Sequence, residues 1–92
     1  MTIKELRQKP IGVLETREFI IKADDHEYKD DYYLVKVKDD RYFIGFSDDG
    51  SYCSNRVSEE RMVHLINDKE SSDGEAAEIY FSSPQLSCCI HL

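Results

Sequence analysis

Tryptophan is absent from this chain, and glycine and proline are scarce, with four and two residues. Long apolar runs are also missing, since the longest uncharged apolar stretches cover only four or five residues. A membrane-spanning helix needs about 20 consecutive apolar residues, so none is predicted. The segment Met1–Glu5 is charged almost at once, unlike the apolar region of a signal peptide. We therefore expect a cytoplasmic protein without a membrane partner.

Cysteine and glycine are too few and too poorly spaced to form a familiar binding motif. Cys88 and Cys89 are adjacent, so on a strand they would point to opposite faces and could not easily bind one metal. With Cys53 they make an odd number, which is typical of reduced thiols in a reducing compartment. The glycines are scattered rather than gathered in a phosphate-binding loop. We expect no metal and no cofactor.

Histidine does not form a catalytic pattern with the available nucleophiles. His26, His64 and His91 would have to approach Cys53 or a serine. The chain has no Gly-x-Ser-x-Gly turn and no cysteine-protease signature. His64 follows Glu60 by four residues on a predicted helix, where the two would form an ordinary surface pair. We therefore expect a protein that is not an enzyme.

Basic residues are outnumbered, with twelve Lys and Arg against nineteen Asp and Glu, for a net charge of −7. Nucleic acid and anionic membranes are attracted to positive surfaces, so this balance disfavours both as direct partners. Lys36, Lys38 and Arg41 near Tyr32 and Tyr42 offer one alternative, a small platform for single-stranded nucleic acid. The same pattern fits a solvated sheet face better. A basic protein is the more natural partner.

The segment 32–57 predicts three neighbouring antiparallel strands, Tyr32–Lys38, Tyr42–Ser47 and Ser51–Asn55. The turn Asp48-Asp49-Gly50 is a strong hairpin signal, because the favoured two-residue turns need a positive φ that glycine adopts freely. Asp39-Asp40 is the weaker turn, since it has no glycine. Alternation along the first strand predicts one buried face and one partly solvated face.

Two helices are predicted from their capping residues. Thr2 caps a short N-terminal helix, which Pro10 should stop. Ser58 precedes two acids and caps the main helix, Glu59–Lys69, which ends before a loop at 71–74. The apolar residues at helical spacing predict one buried face, formed by Met62, Leu65 and Ile66.

The remaining segments predict further strands and a loop. Ile11–Ala23 reads as a strand whose alternation slips near Glu15–Arg17, which indicates a bulge or a break. Asp24–Asp31 reads as a solvated acidic loop, and Ala77–Ser82 and Gln85–Leu92 read as strands. The prediction is one α+β domain over residues 1–92. It has an antiparallel sheet of five or six strands, the main helix on one face and a short N-terminal helix.

Acidic residues fall in three segments that up-and-down connectivity would bring to one end of the sheet. Segments 23–31, 48–49 and 68–78 together carry −10, which leaves +3 for the rest of the chain. A one-ended charge of this kind predicts a docking surface for a basic groove, although acidic loops also serve solubility. The predicted partner-binding residues are Asp24, Asp25, Glu27, Asp30, Asp31, Asp48 and Asp49.

Size and acidity make this chain resemble the small inhibitors that phages make against host nucleases, anti-CRISPR proteins among them. The resemblance implies a protein that occupies the basic, nucleic-acid-binding groove of its target as a nucleic-acid mimic. Two other classes remain open. One is a non-enzymatic adaptor or regulatory module, including a homodimer formed through an exposed sheet edge. The other is an enzyme or a small-ligand binder, which would need a pocket with convergent polar groups.

Overall fold

The computed structural model describes residues 1–46 and 55–82 of the 92-residue chain. In the described residues four consecutive strands lie between a short first helix and two later helices. In chain order the elements are α1 (Ile3–Arg7), β1 (Gly12–Ala23), β2 (His26–Val37), β3 (Arg41–Gly45), β4 (Asn55–Val57), α2 (Glu59–Asn67) and α3 (Lys69–Ser82).

The four strands form one sheet in the order β1-β2-β3-β4, and every neighbouring pair is antiparallel. This confirms the α+β class and the antiparallel sheet, while the described residues contribute four strands rather than five or six. The register of β1 against β2 shifts between Val13 and Glu15, at the start of the region where the broken alternation predicted a bulge. The predicted strand Gln85–Leu92 lies outside the described residues.

The hairpin β1–β2 is much longer than its neighbours. Asp24 and Asp25 close it with φ values of 49° and 63°, which are the positive angles that a two-residue hairpin turn requires. The prediction of an acidic loop over 24–31 is therefore wrong beyond the turn, because residues 26–31 pair with residues 18–23 of β1. Aspartate tolerates the left-handed conformation, so an Asp-Asp pair turns the chain without glycine.

One face of the sheet is covered by the helices. Tyr32, Leu34, Tyr42 and Ile44 are buried on this face. They form one core with residues from all three helices, namely Leu6, Met62, Leu65 and Ala76. The predicted burial of Met62 and Leu65 is confirmed, and Ile66 packs against the same core while partly buried.

The opposite face of β2 is buried as well. Tyr33, Val35 and Val37 are each under a tenth exposed and cluster with Phe43. The face expected to be partly solvated, that of Leu34, Lys36 and Lys38, is the one under the helices, and the expectation is wrong for Leu34 and Lys36 because both are buried. A continuous apolar run is typical of a strand that is buried on both faces, and β2 lies between β1 and β3.

The chain from Lys69 to Ser82 is helical, so the predicted loop at 71–74 and the predicted strand Ala77–Ser82 are wrong. The side chain of Asp68 accepts hydrogen bonds from the backbone N–H and the hydroxyl of Ser71, which starts a second helix directly after the first. Ser72 and Ala76 are four residues apart and both fully buried, so one face of α3 packs on the core. This packing outweighs the β-propensity of the aromatic residues that follow.

Candidate functional site

A two-stranded ribbon continues β1 and β2 past the last described residue of β3. The last pair between β2 and β3 is Tyr33 with Gly45, whereas β1 and β2 continue together to Ala23 and His26. Within the part of the chain that the structure describes, residues 18–31 pair only with one another, and we call this segment the arm. Six residues per strand give it a length of about 20 Å.

The arm concentrates the negative charge of the molecule. It contains six carboxylates and two lysines, while the other described residues contain eleven carboxylates and ten bases. The first of the three predicted acidic segments, 23–31, thus lies on a ribbon with strand geometry in place of a loop.

Most of the predicted partner-binding residues lie on this arm. Asp24 and Asp25 form its tip and are exposed. Glu27, Asp30 and Asp31 follow on β2, where Asp30 is half-buried and the other two are exposed. Two further predicted residues, Asp48 and Asp49, lie outside the described residues.

The two faces of the arm differ in charge, because residues paired across the strands share a face. Lys22 pairs with Glu27 at 3.6 Å between Nζ and Oε1, and Lys29 lies 3.9 Å from an oxygen of Glu18. Both lysines therefore occupy one face, the lysine face, and both are engaged with acids there. That face comprises Glu18, Ile20, Lys22, Glu27, Lys29 and Asp31.

The opposite face carries no lysine or arginine on the arm. His26, Tyr28 and Asp30 alternate along β2 on this side, which we call the tyrosine face. Tyr28 is 55% exposed, and its ring lies 6.2 Å from that of His26 between centroids. Aromatic residues that expose half their surface beside carboxylates are suited to contact a guanidinium or ammonium group.

The base of the arm is fixed by aromatic packing. Phe19 is buried and meets the ring of Tyr32 edge-on, and it also contacts Phe46 and Tyr80. Tyr32 donates its hydroxyl to the carboxylate of Asp73, and the hydroxyl of Ser72 lies at hydrogen-bond distance from the same oxygen, at 2.8 Å. Burial, followed by the bond to Asp73, raises the pKa of Tyr32 to about 12.

An arginine near the arm ties β1 to the helical layer. Arg17 donates from its two terminal nitrogens to the carbonyl oxygens of Leu65 and Ile66, at 2.7 and 2.8 Å. These carbonyls belong to the last turn of α2, where backbone acceptors lack helical partners. Hydrogen bonds and packing therefore hold the base of the arm, and they fix the position of the carboxylates on it.

The acids of segment 68–78 are arranged differently from the prediction. They lie on or next to a helix, and several are engaged within the fold: Lys69 pairs with Asp73 and Arg61 with Glu75, both at 2.7 Å. Hydrogen bonds from Ser71 hold the pKa of Asp68 below its usual value. Lys69 and Asp73 do border the base of the arm, since they line a shallow depression together with Glu18, Phe19, Ile20 and Lys29.

The alternative platform for single-stranded nucleic acid is contradicted by burial. Tyr32 and Tyr42 are 0% and 1% exposed, so their rings cannot stack on bases. Lys36 is also buried, and its ammonium donates to the carbonyl oxygens of Leu6, Arg7 and Lys9. This lysine closes the end of α1, a role that its position in an alternating strand did not indicate.

Two further possibilities considered from the sequence are a metal site and a membrane-spanning helix. Across residues 1–46 and 55–82, no three His, Cys, Asp or Glu side chains converge in a way that could hold a metal ion. Cys53, Cys88, Cys89 and His91 lie outside these ranges. Among the described helices, none has the length and apolar character to cross a membrane.

Comparisons with protein-family models, with curated proteins and with solved structures give no match for this chain.

Proposed function

We propose that this chain is a small acidic inhibitor that docks its arm on the basic, nucleic-acid-binding groove of a partner protein. One observation carries the proposal. The arm holds six carboxylates against two lysines on a two-stranded ribbon, while the remaining described residues are nearly balanced in charge. An inhibitor of this type belongs with the phage inhibitors of host nucleases, such as anti-CRISPR proteins, that the chain resembles in size and acidity.

Charge density supports this choice of partner. The arm carries six carboxylates and two lysines along about 20 Å, which is one net negative charge per about 5 Å. A single strand of duplex DNA carries one phosphate per about 3.4 Å of helix axis. A groove built to neutralise phosphates therefore meets a negative charge density of the same order on the arm.

Four of the six carboxylates on the arm have no ion pair among the described residues, which also supports the proposal. Asp24, Asp25 and Asp31 are exposed and make no ion pair with another described residue, and Asp30 accepts only from the backbone N–H of Asp31. These four charges are free to meet lysine or arginine on a partner. Individual exposed pairs contribute only about 0.2–1 kcal/mol, so the four should act together, mainly through a faster association rate.

A neutralised variant tests the proposal. Asp24, Asp25, Asp30 and Asp31 are replaced by asparagine, which keeps their shape and tolerates the positive φ of the turn. Tagged wild type and variant are used to capture proteins from a bacterial lysate at low and high salt. The wild type should retain a nucleic-acid-binding protein at low salt, an oligonucleotide should compete for it, and the variant should lose it.

A matched control removes the same amount of charge elsewhere. Glu15, Asp39, Glu60 and Glu70 are exposed carboxylates outside the arm, and Asp39 also has a positive φ. Their replacement by Gln or Asn should leave capture intact. If both variants bind equally, or if affinity is flat between low and moderate salt, the acidity of the arm serves solubility only.

A specific observation also favours the second candidate, a non-enzymatic adaptor or regulatory module that forms a homodimer. Strand β1 is twelve residues long and lies at the edge of the described sheet, where only β2 pairs with it. Open edges pair readily with another strand. A solution mass twice that of the 10.7 kDa chain, abolished by proline at Thr16 in β1, would favour this candidate.

A further inference from the structure

The tyrosine face of the arm meets the end of α3, and we call this place the aromatic corner. Residues that alternate along a strand share a face, so Tyr28 and Asp30 lie on the same side of β2 as Tyr32, which the helices cover. Phe19 pairs with Asp30 and shares this side. The ring of Tyr80, near the end of α3, lies 6.3 Å from that of Phe19 between centroids. The arm and α3 therefore border one surface.

Three aromatic side chains of the corner expose much of their surface. Tyr28 is 55% exposed, Phe81 is 49% and Tyr80 is 39%. The rings of Tyr80 and Phe81 lie 5.5 Å apart and nearly perpendicular, and Phe46 lies 5.7 Å from Tyr80. Exposed apolar patches mark sites of protein–protein contact. Because the face of an aromatic ring carries partial negative charge, such a patch attracts cations as well as apolar groups.

The corner also holds a carboxylate, while cations close to it in the fold are engaged elsewhere. Asp30 is half-buried, and its Oδ1 accepts from the backbone N–H of Asp31 at 2.8 Å. Arg17 lies on the same side of β1 but donates to carbonyl oxygens of α2, and Lys69 pairs with Asp73 at 2.7 Å. The two lysines of the arm occupy the lysine face. The corner is therefore complementary to a cation supplied by another molecule.

The size of the arm indicates that a partner on the tyrosine face also reaches α3. One face of the arm is about 20 Å long and about 10 Å wide, which gives an outline of roughly 200 Å². Stable interfaces bury about 800 Å² on each partner. A partner that docks on this face therefore has to contact the adjoining surface, and the exposed rings of Tyr80 and Phe81 belong to that surface.

We propose that the aromatic corner binds arginine side chains of the basic partner. The guanidinium lies against the rings of Tyr28 and Tyr80 and forms an ion pair with Asp30. Arginine fits better than lysine, because its planar and weakly hydrated guanidinium stacks on aromatic rings, whereas an ammonium is strongly hydrated. The identity of the partner rests on the proposed function of the arm, but the preference for arginine is a property of the corner itself.

Two model peptides of equal length and net charge test the proposal, one built from arginine and glycine and the other from lysine and glycine. Titrations are followed by backbone amide chemical shifts. Saturable shifts should appear at Tyr28, Asp30 and Tyr80, and the arginine peptide should bind about fivefold more tightly. Equal affinities would overturn the preference for arginine, because acidity alone would then attract both peptides. Absence of saturation at these amides up to ~10 mM arginine peptide would overturn the site.

Variants separate the rings from the charge. Tyr80→Leu removes a ring but keeps an apolar side chain beside Phe19, and it should weaken the arginine peptide about fivefold and the lysine peptide less than about twofold. Tyr28→Leu repeats the test on the exposed ring of the arm, where packing within the fold is slight. Asp30→Asn should weaken both peptides to the same extent, since it removes charge alone. Ring variants that keep the full preference for arginine would contradict the proposal.

A control and the capture experiment complete the test. Ile20 is 53% exposed on the lysine face, and Ile20→Ala should change both affinities less than about twofold. A loss equal to that of Tyr80→Leu would overturn the assignment to the corner. Arginine-selective binding, together with capture of no nucleic-acid-binding protein, would keep the corner and reject the proposed partner. Salt-sensitive capture together with equal peptide affinities would reject the corner and keep the proposed function.

Discussion

Phe19 meets Tyr32 edge-on, with ring centroids 5.2 Å apart and planes at 89°. The contact joins the first residues of the arm to the core of the sheet, because Phe19 lies at the base of the arm and Tyr32 is fully buried. Perpendicular aromatic pairs of this kind add about 0.5–1.5 kcal/mol to the stability that burial alone provides. The position of the arm therefore depends on a side chain that also stabilises the core.

Phe19→Ala should lower the free energy of unfolding by about 3–5 kcal/mol, because it removes a buried ring and leaves a cavity. Urea unfolding followed by circular dichroism measures this change. Ile20→Ala is the matched control, since the adjacent side chain is 53% exposed on the other face of the ribbon. Equal effects of the two substitutions would contradict the anchoring role of Phe19.

Lys36→Met should lower the free energy of unfolding by about 1–3 kcal/mol, because three carbonyl oxygens at the end of α1 lose their donor. Lys38→Met is the control on an exposed residue two positions away, and its effect should stay within about 0.5 kcal/mol. Urea titration measures the free energy of unfolding of both variants. A Lys36→Met protein as stable as wild type would mean that the cost of burying the ammonium cancels its hydrogen bonds.

Because Tyr32 loses its proton more readily in the unfolded chain, the free energy of unfolding should fall as the pH rises from about 10 to about 12. The pKa of Tyr32 is about 12 in the folded protein and near 10 when unfolded, so the unfolded chain loses the proton first. The stabilisation from the neutral hydroxyl is complete below pH 10 and is lost as the pH approaches the folded value. Urea midpoints across this range should show the fall in wild type.

Tyr32→Phe should reduce this pH dependence, since it removes the titrating group. The variant should also lose about 1 kcal/mol at neutral pH, because the hydrogen bonds of this hydroxyl with Ser72 and Asp73 are removed. Burial raises the pKa of Tyr42 as well, so some dependence should persist and disappear only in the double variant. A single variant with the full wild-type dependence would contradict the assignment to Tyr32.

The local signals in the sequence were informative where one interaction decides the structure. Thr2 and Ser58 cap their helices as predicted, because each side chain accepts from a backbone N–H three residues ahead. Period-3.6 spacing also identified Met62 and Leu65 as buried. These features depend on residues that lie close together in the chain.

Features that depend on tertiary pairing were missed. The aspartates after Ala23 suggested a loop, yet residues 26–31 are held as a strand by their partners in β1. The aromatic residues near Tyr80 suggested a strand, but α3 is helical because Ser72 and Ala76 pack on the core. The composition of the acidic segment was readable from the sequence, whereas its shape as a ribbon depends on long-range contacts.

Tyr28 should be the strongest single contact if the arm docks in a basic groove. It exposes about half of its surface on the tyrosine face, where no lysine of the arm competes for the partner. Exposed tyrosines that become buried at interfaces often contribute 2 kcal/mol or more to binding. Tyr28→Ala should therefore weaken binding to the captured basic partner about 30-fold or more, mainly by faster dissociation.

Ile20→Ala provides the control for this prediction, because Ile20 is 53% exposed on the lysine face of the same ribbon. If the tyrosine face contacts the partner, this variant should bind within about threefold of wild type. Surface plasmon resonance at moderate salt measures both dissociation rates. A larger loss for Ile20→Ala would place the lysine face at the interface instead, because the partner would then bury the isoleucine and leave Tyr28 in solvent.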